Sequence, residues 1–139
     1  MRYLLDTCVI SEFTKPRPEK KVVDWLNEAD PERVFLSAVT LGEIQHGISK
    51  KPPSNRRAQL EEWLNVQLTE QFAGRILVLD VPVLVAWGQL VARLGQQGKP
   101  IGVMDSLIAA TALHHGMTLV TRNVDDFVYA GVGLLNPWE

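Results

Sequence analysis

The sequence predicts an α/β fold of three layers, with helices on both faces of a mainly parallel sheet of about four to five short strands. Three observations carry that expectation. Short apolar runs alternate with longer stretches of helical spacing. The runs are apolar throughout rather than alternating in polarity, as strands covered on both faces are. The chain has 139 residues, 46% hydrophobic and 22% charged, which is the size and make-up of one compact domain spanning 1–139.

Tyr3-Leu4-Leu5 reads as a buried strand ending at Asp6. Thr7 to Phe13 follows as a short helix, broken by Lys15-Pro16-Arg17-Pro18. Val22, Val23, Trp25 and Leu26 mark a second helix, and Val34-Phe35-Leu36 a second strand. Ser37 to Ile48 carries a helical stripe, stopped by Lys51-Pro52-Pro53. A longer helix is expected from Ser54-Asn55 to about Phe72, closed by Gly74. Ile76 to Leu79 is a third strand, and Asp80-Val81-Pro82 starts a helix running to about Gln97. Asp105 to His115 is a helix closed by Gly116. Thr118 to Thr121 and Gly133-Leu134-Leu135 complete the sheet.

Composition excludes several classes. A single cysteine, Cys8, rules out an internal disulfide and any Cys-rich zinc module. Lys and Arg number 14 against 16 Asp and Glu, so the chain does not coat nucleic acid through bulk charge. No apolar run is long enough to span a membrane. Asp6 interrupts the N-terminal apolar stretch, which lacks the form of a signal peptide, so a cytoplasmic location is the default expectation.

In a doubly wound sheet, ligands sit beyond the carboxyl ends of the strands. Acids recur there: Asp6 after the first strand, Glu43 a turn into the helix after the second, Asp105 where a helix opens, and Asp125 and Asp126 beyond the fourth. Each has an ordinary reading. Asp6 and Asp105 suit helix starts, Thr40-x-x-Glu43 is a formal capping box, and Asp125-Asp126 suits a turn. Four unrelated caps need not fall on one edge, however. Carboxylates crowded together repel, and hard cations such as Mg²⁺ or Mn²⁺ are their natural counter-ions.

The same segments carry a resemblance. Leu4-Leu5-Asp6-Thr7-Cys8-Val9-Ile10-Ser11-Glu12 resembles the first motif of PIN-domain ribonucleases. Ser37 to Ile44 resembles their second acidic motif and Asp105 to Ala112 their third. Thr121-Arg122-Asn123-Val124-Asp125-Asp126-Phe127 and Leu135-Asn136-Pro137-Trp138 resemble the fourth motif and tail of the VapC and FitB toxin subgroup. The resemblance implies a PIN-like fold and a Mg²⁺- or Mn²⁺-dependent endoribonuclease. It implies the toxin of a toxin–antitoxin pair, cutting structured RNA such as tRNA or rRNA and inhibiting translation. It further implies a homodimer silenced by a small DNA-binding antitoxin.

By position, Asp6 and Asp105 are the expected principal metal ligands, with Glu43 beside them. Asn123 stands where relatives often have an acid, and Asp126 is the expected substitute. Cys8 stands where Asn is usual, leaving Thr7, Ser37 or Thr121 to keep the acids in place; these three and Arg122 are also the expected substrate contacts. Two basic groups, Lys15, Arg17, Lys20 and Lys21, then Lys50, Lys51, Arg56 and Arg57, are candidate RNA-backbone contacts.

Other phosphate chemistries fit less well. A haloacid-dehalogenase phosphatase needs Asp where Cys8 stands, and no Gly-x4-Gly-Lys-Ser/Thr loop occurs. His46, His114 and His115 lack zinc-ligand spacing. The alternatives are an inactive PIN-like binding module and another Mg²⁺-dependent phosphohydrolase.

Overall fold

The computed structural model describes all 139 residues. The five strands are β1 (Tyr3–Leu5), β2 (Val34–Ser37), β3 (Ile76–Leu77), β4 (Thr118–Val120) and β5 (Leu134–Leu135). They form one sheet in the order β3-β2-β1-β4-β5, and every pairing is parallel. Leu4 pairs with Phe35 on one side and Leu119 on the other. The expected three layers and short parallel strands are thus present. β3 is shorter than the Ile76–Leu79 run suggested, because Val78 turns out to solvent.

Alternate strand residues enter opposite cores. Leu5, Val34, Leu36 and Val120 pack with helices α1 (Thr7–Glu12), α2 (Lys20–Glu28), α3 (Ala38–Ser49) and α4 (Asn55–Glu62). Leu4, Phe35 and Leu119 pack on the other face with α6 (Val81–Gln96), α7 (Val103–His115) and α8 (Val124–Phe127). Neither face is wet, which is why these strands read as unbroken apolar runs. Truncating a fully buried residue such as Leu4 or Leu119 to Ala would cost ~2–5 kcal/mol.

Several boundaries differ from the sequence expectation. The long helix after Ser54 is continuous but changes winding: α4 passes into a π-helical stretch (Trp63–Leu68) and then α5 (Thr69–Gln71). Leu60, Leu64, Leu68 and Phe72 are all buried along this rod. α7 opens at Val103, two residues before Asp105, with Gly102 as its N-cap. Gly116 closes α7 in the left-handed region (φ 65°), a conformation that favours glycine. The short helix α8 and a 3-10 turn (Pro31–Arg33) carry too few residues to show a periodicity. The four tryptophans serve the fold: Tyr3 meets Trp25 edge-on, Trp63 and Trp138 pack on the first core, and Trp87 Nε1 donates to Ser106 Oγ at 2.8 Å. No helix is long and apolar enough to cross a membrane.

Candidate active site at the carboxyl edge of the sheet

Winding runs outward from β1 through β2 to β3, then restarts on the other side with β4 and β5. The switch point therefore lies between the carboxyl ends of β1 and β4, where such sheets form ligand crevices. Asp6 stands there. Its backbone N–H donates to Val120 O at 2.9 Å, tying it to the end of β4. Its Oδ1 accepts from the Thr7 N–H at 2.8 Å, and its Oδ2 accepts from Thr121 Oγ1 at 2.8 Å. Asp6 thus caps α1 and faces the switch point at once. Only 5% of it is exposed, so both bonds offset desolvation of its carboxyl group.

Glu43 reaches the same edge from α3. Ser37 is that helix's N-cap, its Oγ accepting from the Val39 N–H at 3.1 Å, so Thr40 and Glu43 form no capping box. Glu43 Oε1 instead accepts from Thr7 Oγ1 at 2.7 Å. Asp105 enters from the first turn of α7, whose N-terminus lies at this edge because α7 runs back against the parallel strands. Burial, and then the charges of Asp6, Asp126 and Glu43, push the Asp105 carboxyl from 3.8 up to about 6. That crowding brings together acids from four separated segments of chain.

Asp126, on α8, shares with Asp105 a cavity of about 460 Å³. Asn123 is exposed; its backbone N–H donates to Thr121 Oγ1 at 3.0 Å, and its side chain does not cap α8. Of the two candidates for the fourth acidic position, it is therefore Asp126 whose charge reaches Asp105. Arg122 is exposed beside the site, with its guanidinium 5.4 Å from the Trp138 ring centroid.

The expected substrate contacts need correction. Ser37 and Thr121 are fully buried, and Thr7 directs its hydroxyl to Glu43. Thr7 and Thr121 position acids, and Ser37 starts the helix that carries one. Cys8 lies in the same web: its Sγ is 3.8 Å from Asp6 Oδ2 and 3.6 Å from Thr121 Oγ1, and accepts from the Arg122 N–H at 3.5 Å. Burial raises its thiol pKa, so Cys8 is kept protonated rather than readied as a nucleophile. Several basic residues are already paired. Lys15 binds Glu12, Lys20 binds Asp24 and Arg57 binds Glu61.

Sequence reasoning missed Glu12. It is buried, with Oε1 2.9 Å from Lys15 Nζ and Oε2 accepting from the Glu19 N–H at 2.9 Å. The Lys15 bond foremost, then the Glu19 N–H, holds its carboxyl below the usual range. Glu12 pins the Pro16–Pro18 loop. The only available signal was an acid on an otherwise apolar helix face.

No three Asp, Glu, His or Cys side chains lie close enough to enclose a metal ion by themselves. The donors gathered here are carboxylate oxygens, which suit hard cations. Mg²⁺ commonly takes one or two carboxylates and keeps several waters. The residues therefore fit an aquated divalent ion, not a closed protein cage.

Fold and site together define a doubly wound α/β domain with carboxylates gathered at the switch point of a parallel sheet. The chain belongs to the PIN domain family, whose model matches residues 3–131. It is 40% identical over 136 residues to toxin FitB of Neisseria gonorrhoeae, covering 98% of each chain. It is 37% identical over 136 residues to VapC ribonuclease Y4jK of Sinorhizobium fredii, covering 98% of this chain and 97% of that protein. The structure of FitAB bound to an IR36 DNA fragment superposes with a TM-score of 0.92 at 39% identity, covering 99% of this chain and 96% of that one.

Proposed function

We propose that this protein is a Mg²⁺- or Mn²⁺-dependent endoribonuclease, the toxin of a toxin–antitoxin pair, hydrolysing phosphodiester bonds in structured RNA and thereby inhibiting translation in the cytoplasm. The observation that carries the reading is the gathering of Asp6, Glu43, Asp105 and Asp126 at one edge of the sheet, where burial, and then the charges of the other three, raise the Asp105 carboxyl. Such crowding opposes folding unless a cation neutralises it. The ribonuclease and toxin names of the relatives support the same reading.

Asp6 and Asp105 are the residues to hold the ion, with Glu43 and Asp126 ordering water around it. A bound divalent ion polarises a phosphoryl oxygen and lowers the pKa of water. With its pKa near 6, Asp105 is largely ionised at neutral pH and available to a cation. Thr121 and the Thr7 N–H fix Asp6, and the Thr7 hydroxyl fixes Glu43. Asp126 would order the attacking water. As the water oxygen bonds to phosphorus it gives up a proton, the P–O3′ bond breaks, and the leaving O3′ takes up a proton, so the proton count is unchanged. Arg122 on the rim meets the RNA backbone.

The cognate partner is a small DNA-binding antitoxin that covers this edge, consistent with the FitAB assembly on DNA. A second copy of the chain fits the uncharged stripe of α6, where Val81, Leu84, Val85 and Val91 are exposed. Sedimentation should give a dimer for the wild type and a monomer for Val85→Glu; a monomeric wild type, or a Val85→Glu protein that remains dimeric, would refute that contact.

The central test is Asp6→Asn and Asp105→Asn. Each should lose divalent-ion-dependent RNA cleavage and growth inhibition while keeping its circular dichroism spectrum. Undiminished metal-dependent cleavage by the double variant would overturn the assignment.

A further inference from the structure

Beside the acidic edge lies a second cavity, of about 440 Å³, between α3 and α7. Val39, Gly42, Glu43 and His46 line it from α3, at i, i+3, i+4 and i+7, so one helix face builds that wall. Met104 and Leu107 line it from α7, on either side of Asp105 in sequence, and Leu79, just before α6, completes the wall. The acidic site and this cavity thus share Glu43 and flank Asp105. The walls are chiefly apolar, with one exposed imidazole at the mouth. A Cβ built on Gly42 meets nothing within 4 Å, so the glycine leaves that part of the wall open.

We propose that this cavity receives an unstacked nucleobase of the RNA strand, adjacent to the phosphodiester at the acidic site. The inference rests on the ribonuclease reading above. A phosphodiester bound through a cation at Asp6 and Asp105 would bring its neighbouring bases to this edge, and this apolar recess takes Glu43 of the same acidic cluster as part of its wall. A base splayed from single-stranded RNA is held by apolar and stacking contacts, which His46 and Met104 can supply. Glu43 Oε1 accepts from Thr7, and its carboxylate, which orders water at the acidic site, also borders this recess.

The test uses Asp105→Asn protein, which binds without cutting, with a short single-stranded RNA carrying 2-aminopurine at successive positions. At one position the label should brighten as it unstacks on binding. Gly42→Leu, added to this background, fills the recess from a helical position with room for a side chain. It should abolish the brightening and weaken binding about tenfold, the effect of losing one held base. An RNA abasic at that position should bind both proteins equally. Unchanged affinity and unchanged brightening with Gly42→Leu would overturn the proposal. So would a change confined to sedimentation, which would assign the recess to a second copy of the chain. Failure of every RNA to bind either protein would instead remove the ribonuclease reading, and this proposal with it.

Discussion

Thr121 Oγ1 donates to Asp6 Oδ2 at 2.8 Å, joining the ends of two neighbouring strands that lie 115 residues apart in sequence. The same hydroxyl accepts from the Asn123 N–H at 3.0 Å. One buried side chain therefore sets both the carboxylate at the switch point and the start of the loop that carries Arg122. Replacing Thr121 with Val keeps the shape and removes the bond. It should destabilise the protein by ~1–3 kcal/mol in denaturant unfolding, because a buried carboxylate loses a donor. Metal affinity or activity should fall about 10–100-fold, as when a ligand's supporting partner is removed. Wild-type metal affinity in a folded Thr121→Val protein would show that Asp6 needs no such partner.

Asp105 should impose a pH dependence on the metal-free protein. Its folded-state pKa is raised from 3.8 to about 6. Between those values the folded state binds more protons than the unfolded one, so stability falls as pH rises through that window. His115, lowered from 6.5 chiefly by burial, acts in the opposite sense as pH rises. The informative quantity is therefore the Tm difference between wild type and Asp105→Asn. The variant should gain on the wild type from pH 4 to pH 7, and added Mg²⁺ should restore wild-type Tm at pH 7 far more than at pH 4. A difference flat across that range would contradict the crowding of Asp105.

Asn123 and Asp126 should separate cleanly. Asp126→Asn removes one of the charges that raise Asp105, so the Asp105 carboxyl resonance in NMR should titrate lower. Metal-dependent cleavage should also drop about 100-fold or more, the scale of a lost water-orienting acid or base. Asn123→Ala keeps the backbone N–H that meets Thr121 and should change cleavage little. The reverse ranking would move the fourth acidic position to Asn123.

Arg122 should report on the RNA backbone. Its guanidinium lies over the Trp138 ring, and Asn136 Oδ1 accepts from the Trp138 N–H at 2.9 Å, so the C-terminal turn holds the arginine in place. Arg122→Gln should weaken RNA binding on Asp105→Asn protein and reduce the salt slope by about 1. Trp138→Leu should give a smaller loss of the same kind. An unchanged slope for Arg122→Gln would remove the arginine from the phosphate path.

The sequence by itself determined the layers and the order of elements. Apolar runs such as Tyr3-Leu4-Leu5 and Val34-Phe35-Leu36 can be satisfied only between two helical layers, and breakers at Pro52, Gly98 and Gly116 divide the helices. It also marked Asp6, Glu43, Asp105 and Asp126 as lying on one edge, because parallel winding sends each strand end and each following helix start to the same side. Only the tertiary structure decided what each group faces. Thr7 and Thr121 looked like substrate contacts but face inward to the acids, Ser37 is sealed beneath α3, and Lys15 is held by a buried Glu12. Those outcomes depend on side-chain direction and, for Thr7 and Thr121, on contacts more than 30 residues apart in the chain. Local periodicity, which reports burial and not partnership, carries no record of them.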